Sequence, residues 1–412
     1  MNSGHSSLEK IMLTMMKKNF KSAVNCKVFL IHLLLLSILV TSSEKTLAQI
    51  PHKSSIFIKK TVITNMPEKA NFLTVVYHDK IYAFKYGPDH DIATDEDYKN
   101  AGNVFAYDPL TDKWESKALM PVKKVSYRIA SLNDKIYVIG GFTSKDTPSN
   151  SVEMYDPATN TWSIKSNMPT ARCRIGTAVL ENKLFTFGGW AQGVETDAVE
   201  IYDPSDDTWA VKNSLPDKLM GVAVFSINGK IYYLRGVNSS WKFIYDFKEY
   251  SPTNDTWIKR AQWDFEREPE EPVIVNNRFF VLGGGAFTDS TVHSVKEYDF
   301  NSDRWILRKN MPAENMHTVH FSCVVSNGKI YTFGGGYRVN NEWRASNHAQ
   351  VYDPSTDTWE KLEPLSEGKI GMAVEAIGNK IFVIGGEKMG PSGQSSQNEF
   401  SDKIEVYEIK EL

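Results

Sequence analysis

The chain has 412 residues, of which 41% are hydrophobic, 24% charged and 12% aromatic, so a disordered or collagen-like chain is excluded. A formal charge of −3, from 47 basic and 50 acidic side chains, gives no footprint for nucleic acid. Three cysteines, Cys26, Cys173 and Cys323, exclude a disulfide scaffold, and length alone suggests two or three domains.

Residues 1–48 read as a leader. Lys17, Lys18, Lys21 and Lys27 precede an apolar run from Val28 to Val40, and the small residues Thr46 and Ala48 suit signal peptidase. Cleavage is expected after Ala48, because the apolar run is shorter than the roughly 20 residues a spanning helix needs. An uncleaved signal anchor is the other reading. With the leader removed, the remainder, 49–412, is expected to be exported (periplasmic, cell-surface or extracellular), acidic and without a membrane span.

From there on one unit recurs. Tyr107, Tyr155, Tyr202, Tyr250, Tyr298 and Tyr352 each stand seven residues before a tryptophan: Trp114, Trp162, Trp209, Trp257, Trp305 and Trp359. Tyr407 continues the series without a tryptophan. Upstream, Met120-Pro121 precedes Gly140-Gly141 by 20 residues, Met168-Pro169 precedes Gly188-Gly189 by 20, and Leu365 precedes Gly385-Gly386 likewise. Each unit reads as four short strands. The first is an apolar stretch such as Gly176–Leu180; the second, such as Lys135–Ile139, follows a tight turn like Asn133-Asp134 or Asn228-Gly229. The third ends in the Tyr and the fourth begins at the Trp, with Asp-Pro turning the chain between them. Paired glycines end the second strand where backbones crowd or φ turns positive. The lattice Tyr and Trp are expected to fill the space between neighbouring sheets.

The series Met-Pro, then Lys-Ile-Tyr-Val-Ile-Gly-Gly, then Tyr-Asp-Pro-x-Thr-x-x-Trp resembles the kelch repeat. The resemblance covers 55–412 and weakens only at Tyr86-Gly87 and Arg235-Gly236, where the first glycine is replaced. It implies an all-β fold, a seven-bladed kelch β-propeller with four-stranded blades around a central channel. The repeats fall at about 66–114, 120–162, 168–209, 215–257, 263–305, 311–359 and 365–408. The last repeat lacks its Trp strand, and a spare strand lies near the start, within 55–62. That strand is expected to complete the last blade and close the ring.

Loops after the glycine pair are longest in repeats six, seven and one (Gly336–Ala349, Glu387–Asp402 and Pro88–Gly102), which neighbour one another in a closed ring. They are expected to form a wall on the binding face. The loop leading into each blade shares that face. Four residues after the Met position stand Ala70, Lys124, Arg172, Leu219, Arg267, Asn315 and Lys369. The kelch resemblance implies that side chains here line the channel mouth and receive a partner's carboxylates; Arg172 carries the family motif, while Lys124, Arg267 and Lys369 match by position alone. Arginine grips carboxylates bidentately, so an acidic protein segment or a sugar acid is the expected ligand. Trp190, Tyr337 and Trp343 lie off the Trp lattice and suit sugars or apolar partners, packing within the loops being the other reading.

No metal or cofactor is expected. The acidic run Asp89, Asp91, Asp95, Glu96 and Asp97 lacks the glycine and terminal Glu of a calcium loop, and His317 and His320 fall on opposite faces of a strand start. No nucleophile elbow or phosphate loop occurs. The expected function is a monomeric, exported binding module for a protein or glycan. The alternative is an enzyme resembling sialic acid mutarotases (N-acetylneuraminate epimerase-like), although those are six-bladed. It needs an acid–base pair beside a carboxylate-binding Arg, for which Arg172 with Glu268, Glu387 or His317 is the candidate set.

Overall fold

Two-residue turns in which both residues take positive φ set the strand pairs. At Asn133-Asp134 φ is 51° and 58°, and at Asn276-Asn277 it is 49° and 58°. Such turns match the twist of the strands they join, and Asn and Asp tolerate that backbone best after glycine. In the computed structural model the described residues are 56–60, 66–87, 93–238, 240, 242–262, 272–283, 293–312, 320–339, 342–389 and 395–410. The expected leader lies outside them, as do Arg267, Glu268, Asn315 and His317.

Residues Ile56–Lys410 form one unit of seven four-stranded antiparallel sheets. In six blades the strands follow chain order, as in Gly176–Leu180, Lys183–Phe187, Val199–Asp203 and Thr208–Lys212 of blade three. The seventh is built from Ala373–Ile377, Lys380–Ile384 and Ile404–Lys410, and its outer strand is Ile56–Lys60 from the other end of the chain. The register runs from Ile56 opposite Lys410 to Lys60 opposite Val406. The expected seven-bladed kelch propeller, closed by an N-terminal strand, is therefore the fold.

The core lies between sheets. Tyr82, Phe84, Ile136, Val138 and Tyr155 fill the space between blades one and two, and Ile81, Tyr107, Phe382, Ile384 and Val406 fill the seam between seven and one. Burial of side chains this large contributes roughly 1.5–3 kcal/mol each.

The Tyr–Trp turn adds polar fastening. In blade three Tyr202 donates its hydroxyl to Asp207 Oδ1 at 2.6 Å; the same oxygen accepts the Ser166 N–H of blade two at 2.9 Å, while Trp209 Nε1 donates to the Ser166 carbonyl at 2.8 Å. In blade two Tyr155, Asn160 and Trp162 hold Ala118 of blade one in the same way. Both Asx residues are left-handed, with φ of 57° and 55°.

The glycine pair has a packing reason. Gly140 and Gly141 have φ of 62° and 97°, and the Gly141 N–H reaches the Arg172 carbonyl of the next blade at 3.1 Å. A Cβ on Gly140 would lie 2.4 Å from that carbonyl oxygen, so only glycine fits. In blade four, where Arg235-Gly236 stands instead, the second strand runs on to Val237 and the third starts at Phe243.

Candidate functional site

One face of the ring carries the raised elements. In blade one a short helix, Asp95–Lys99, is capped by Thr94, whose hydroxyl accepts the Asp97 N–H. Small hairpins stand on blades two (Phe142–Ser144 with Thr147–Pro148), three (Trp190–Ala191 with Val194–Glu195), six (Gly336–Val339 with Glu342–Ala345) and seven (Glu387–Met389 with Ser395–Phe400). The hairpins of blades six and seven touch, and the helix touches the hairpin of blade two. The wall expected over blades six, seven and one thus extends to two and three, where loops of ordinary length still fold into hairpins. Below them Tyr98, Ala101, Val125, Phe142 and Cys173 form a small apolar cluster. Trp190 is half-buried against it, 5.5 Å from the Phe142 ring. Tyr337 is half-buried, while the Trp343 side chain lies outside the described residues.

The basic positions do not line the mouth. Lys124, Arg172 and Lys369 are all 0% exposed. Lys124 Nζ lies 2.5 Å from Glu153 and donates to the Ser151 carbonyl at 3.1 Å. Arg172 Nη2 reaches Glu200 and the Thr186 hydroxyl, each at 2.7 Å, while Nη1 donates to the Ala198 carbonyl at 3.1 Å. Lys369 Nζ is 3.3 Å from Glu405. Burial pulls all three cations below their ordinary pKa, against the opposing pull of these carboxylates. The expectation that they receive a partner's carboxylates is corrected: each is already held by one inside its own blade.

The physical reason is local. The next residues, Val125, Cys173 and Ile370, pair through their main chains with Phe142, Trp190 and Glu387 at the hairpin bases, which turns the preceding side chain inward. A signal was present in the sequence. Glu stands two residues before the blade's Tyr in repeats two, three and seven, the three that carry Lys124, Arg172 and Lys369; opposite Leu219 the same place holds Lys248. Arg267 lies outside the described residues.

The rim of the channel lies two residues further on in blades two, three, four and seven, and at His320 in blade six. First strands of neighbouring blades pack together around the axis, Arg128–Leu132 on Gly176–Leu180 and Phe72–Tyr77 on Ala373–Ile377. Each is preceded or begun by a left-handed residue in blades two, three, four, six and seven: Ser126, Arg174, Gly221, His320 and Gly371, with φ of 53°, 48°, 58°, 56° and 59°. Their main chains link along the ring, Gly221 N–H to the Arg174 carbonyl at 2.8 Å and Gly371 N–H to the His320 carbonyl at 3.2 Å. Glycine meets this backbone requirement in two blades. Arg174 and His320 hold it at a cost of about 1–2 kcal/mol each, and strain of this kind collects at functional positions. Arg174 is half-buried and His320 exposed. Arg128 stands beside Arg174, its Nε donating to the Ile175 carbonyl at 3.2 Å, and on blade four Arg235 lies 5.9 Å over the Phe243 ring. This arrangement is a cationic, partly aromatic rim suited to anionic groups. Among the described residues no three His, Cys, Asp or Glu side chains are grouped to hold a metal ion.

Of the candidate catalytic set of the enzyme reading, Arg172 holds its guanidinium against Glu200, and Glu268 and His317 lie outside the described residues. Glu387 sits half-buried at a hairpin base, paired with Ile370.

Residues 71–272 match the family model described as the KLHDC2/KLHL20/DRC7 Kelch-repeats domain, and residues 317–366 match the Kelch motif. The chain is 37% identical over 75 residues to the F-box/kelch-repeat protein At1g67480 of Arabidopsis thaliana, covering 18% of this chain and 19% of that protein. It is 36% identical over 66 residues to Kelch-like protein 15 of Danio rerio, 15% of this chain and 11% of that one. Beta-scruin of Limulus polyphemus is 32% identical over 92 residues, 22% of this chain and 10% of the relative. The matched segments therefore span a fifth or less of these curated relatives. The solved structure of YjhT superposes with a TM-score of 0.52 at 17% identity, covering 69% of this chain and 95% of that one, a likeness of fold alone.

Proposed function

Because the chain belongs to the kelch-repeat β-propeller family, we propose that it is a binding module that takes a carboxylate-bearing protein segment at the channel rim of its hairpin face. The observation that carries this reading is the pair Arg174 and His320, side chains kept at a left-handed position that glycine fills in neighbouring blades. Arg174, with Arg128 bonded to the carbonyl of the next residue, replaces Arg172 as the residue that meets the partner. A guanidinium on a partly buried rim grips a carboxylate in two hydrogen bonds, and the limited solvent there strengthens the contact. Half-buried Trp190 and Tyr337 add apolar area at the edge. The leader reading places this partner outside the cytoplasm; N-terminal sequencing of the exported protein should begin at Gln49.

The test uses a library of Asp/Glu-rich peptides, read by fluorescence anisotropy. Arg174→Ala should weaken every binder about tenfold or more, the effect of losing a charge-assisted contact. Equal binding by wild type and Arg174→Ala would overturn the reading.

The sugar-acid reading is kept for one observation: exposed His320 shares the rim position with Arg174, which gives a proton-transfer group and a carboxylate clamp on the same ring. Anomer exchange of N-acetylneuraminate, followed by NMR with the whole chain, decides it. Exchange no faster than in buffer removes the enzyme.

A further inference from the structure

One position on the first, inner strand is apolar in six blades and acidic in the seventh. Two residues before the end of that strand stands a side chain that faces the next blade. In blades one to six it is Val75, Ala130, Ala178, Phe225, Val273 and Val324, each packed into the apolar cluster of its seam. In blade seven it is Glu375.

The seam that Glu375 faces is the one where the ring closes. Ala373 and Ile377, on the same face of its strand, pack with Phe72 and Val76 of blade one, and Thr74 stands between those two. The Thr74 hydroxyl donates to Glu375 Oε1 at 2.6 Å, and among the described residues the carboxyl has no other hydrogen bond and no ion pair. Alternation turns four other titratable groups to this seam. Lys85 and Tyr107 of blade one are bonded to Glu68 at 3.0 Å and to Asp112 at 2.8 Å, while Lys380 and Glu408 of blade seven stand opposite each other at the turn end of the sheet. From blade six the inner strand turns Ser322 and Val324 toward blade seven and Cys323 away from it. Burial accordingly raises the Glu375 carboxyl above its ordinary value, opposed only in part by Thr74.

This seam also differs in how it is held. At the other six the chain itself runs from the outer strand of one blade into the inner strand of the next. Blades seven and one are joined only through Ile56–Lys60, which main-chain bonds hold on Ile404–Lys410. A protonated Glu375 sits in the apolar seam as a neutral group with one partner; an ionised one is a charge short of solvent. When the seam opens, water surrounds the carboxyl and its proton leaves at the ordinary pH. Closure is therefore fully favoured below that ordinary value, and the contribution is lost as pH rises through the value of the closed seam.

We propose that the seam between blades seven and one is a pH-sensitive gate: ionisation of Glu375 loosens Phe72–Tyr77 from Ala373–Ile377 and frees Ile56–Lys60, while the other seams stay shut. The ring is sealed in acid and opens locally toward neutral pH.

The test is hydrogen exchange of the whole chain, read by mass spectrometry at pH 4, 6 and 8 and corrected for the intrinsic dependence of exchange on pH. Protection of Ile56–Lys60 and Ala373–Ile377 should fall about tenfold or more between pH 4 and pH 8. That of Gly176–Leu180, at the seam between blades three and four, should stay within about twofold. Glu375→Gln keeps a partner for Thr74 and should make the profile of the closing seam flat. Thr74→Val removes the donor to the ionised carboxyl and should deepen the loss at pH 8; it is the second variant if the first fails to fold, as checked by circular dichroism. No fall in the wild type, an equal fall at the seam between blades three and four, a fall that persists in Glu375→Gln, or a Thr74→Val profile identical to wild type overturns the proposal.

Discussion

Arg172 and Arg174 are two residues apart and have opposite fates. The guanidinium of Arg172 is sealed against Glu200, Thr186 and two main-chain carbonyls, and removing one partner of such a pair leaves a buried charge uncompensated. Arg172→Met should therefore cost about 3–5 kcal/mol in urea denaturation, while Arg172→Met with Glu200→Leu should recover most of it. Arg174→Gly relieves a left-handed residue, offset by the greater chain entropy of glycine, and should change stability by less than about 1 kcal/mol while weakening peptide binding about tenfold or more. A variant at 174 as destabilised as the one at 172 would contradict the division. A third residue reports through pH. Burial raises the carboxyl of Glu375 on the inner strand of blade seven, and the Thr74 hydroxyl of blade one, donating to it at 2.6 Å, only partly opposes this. A folded-state pKa above the unfolded one favours the fold at low pH, and that contribution is lost as pH rises through the folded value. Glu375→Gln should thus raise the melting temperature at pH 7, with the gain shrinking toward pH 4. A gain independent of pH would show that ionisation is not the cause.

At the scale of the element, the unit that repeats is a clasp rather than a strand. Asp207 is left-handed, accepts from the Tyr202 hydroxyl and from the Ser166 N–H of the preceding blade, and stands two residues before Trp209, whose Nε1 donates to the Ser166 carbonyl. Burial pushes the Asp207 carboxyl up, but the Tyr202 hydroxyl and the Ser166 N–H outweigh it and hold the group below its ordinary value. Its stabilisation is therefore full above the unfolded pKa and fades as pH falls through the folded one. Asp207→Ala should cost about 2–3 kcal/mol through two lost acceptors and the left-handed backbone. Asp207→Asn should cost less than about 1 kcal/mol, since Asn160 performs the same task in blade two. Chemical denaturation of the two variants side by side checks both figures.

For the whole molecule, the seven apolar clusters between sheets make each blade depend on two neighbours, and Ile56–Lys60 closes the last gap. Without that strand, the outer edge of Ile404–Lys410 is left unpaired and the seam between blades seven and one loosens. Removing residues up to 62 should lower the melting temperature by several degrees and keep a single transition, because no blade folds against water on both faces. An unchanged melting temperature would mean that closure does not depend on the strand.

The period of Tyr and Trp, the glycine pairs and the spare strand were enough to read the blade number, the core and the closure from the sequence. These are local, periodic facts: alternation decides which side of a strand faces a neighbour, and seven copies remove the ambiguity of one. The direction of a single side chain in a lead-in loop was not legible in that way. In the sequence Arg172 carries the family motif and Arg174 carries no signal, because what separates them is a glutamate 28 residues after Arg172 and a left-handed backbone at Arg174. Pattern along the chain decides how a propeller is assembled, and burial, which exists only once the blades have met, decides which of its charges are sealed inside a blade.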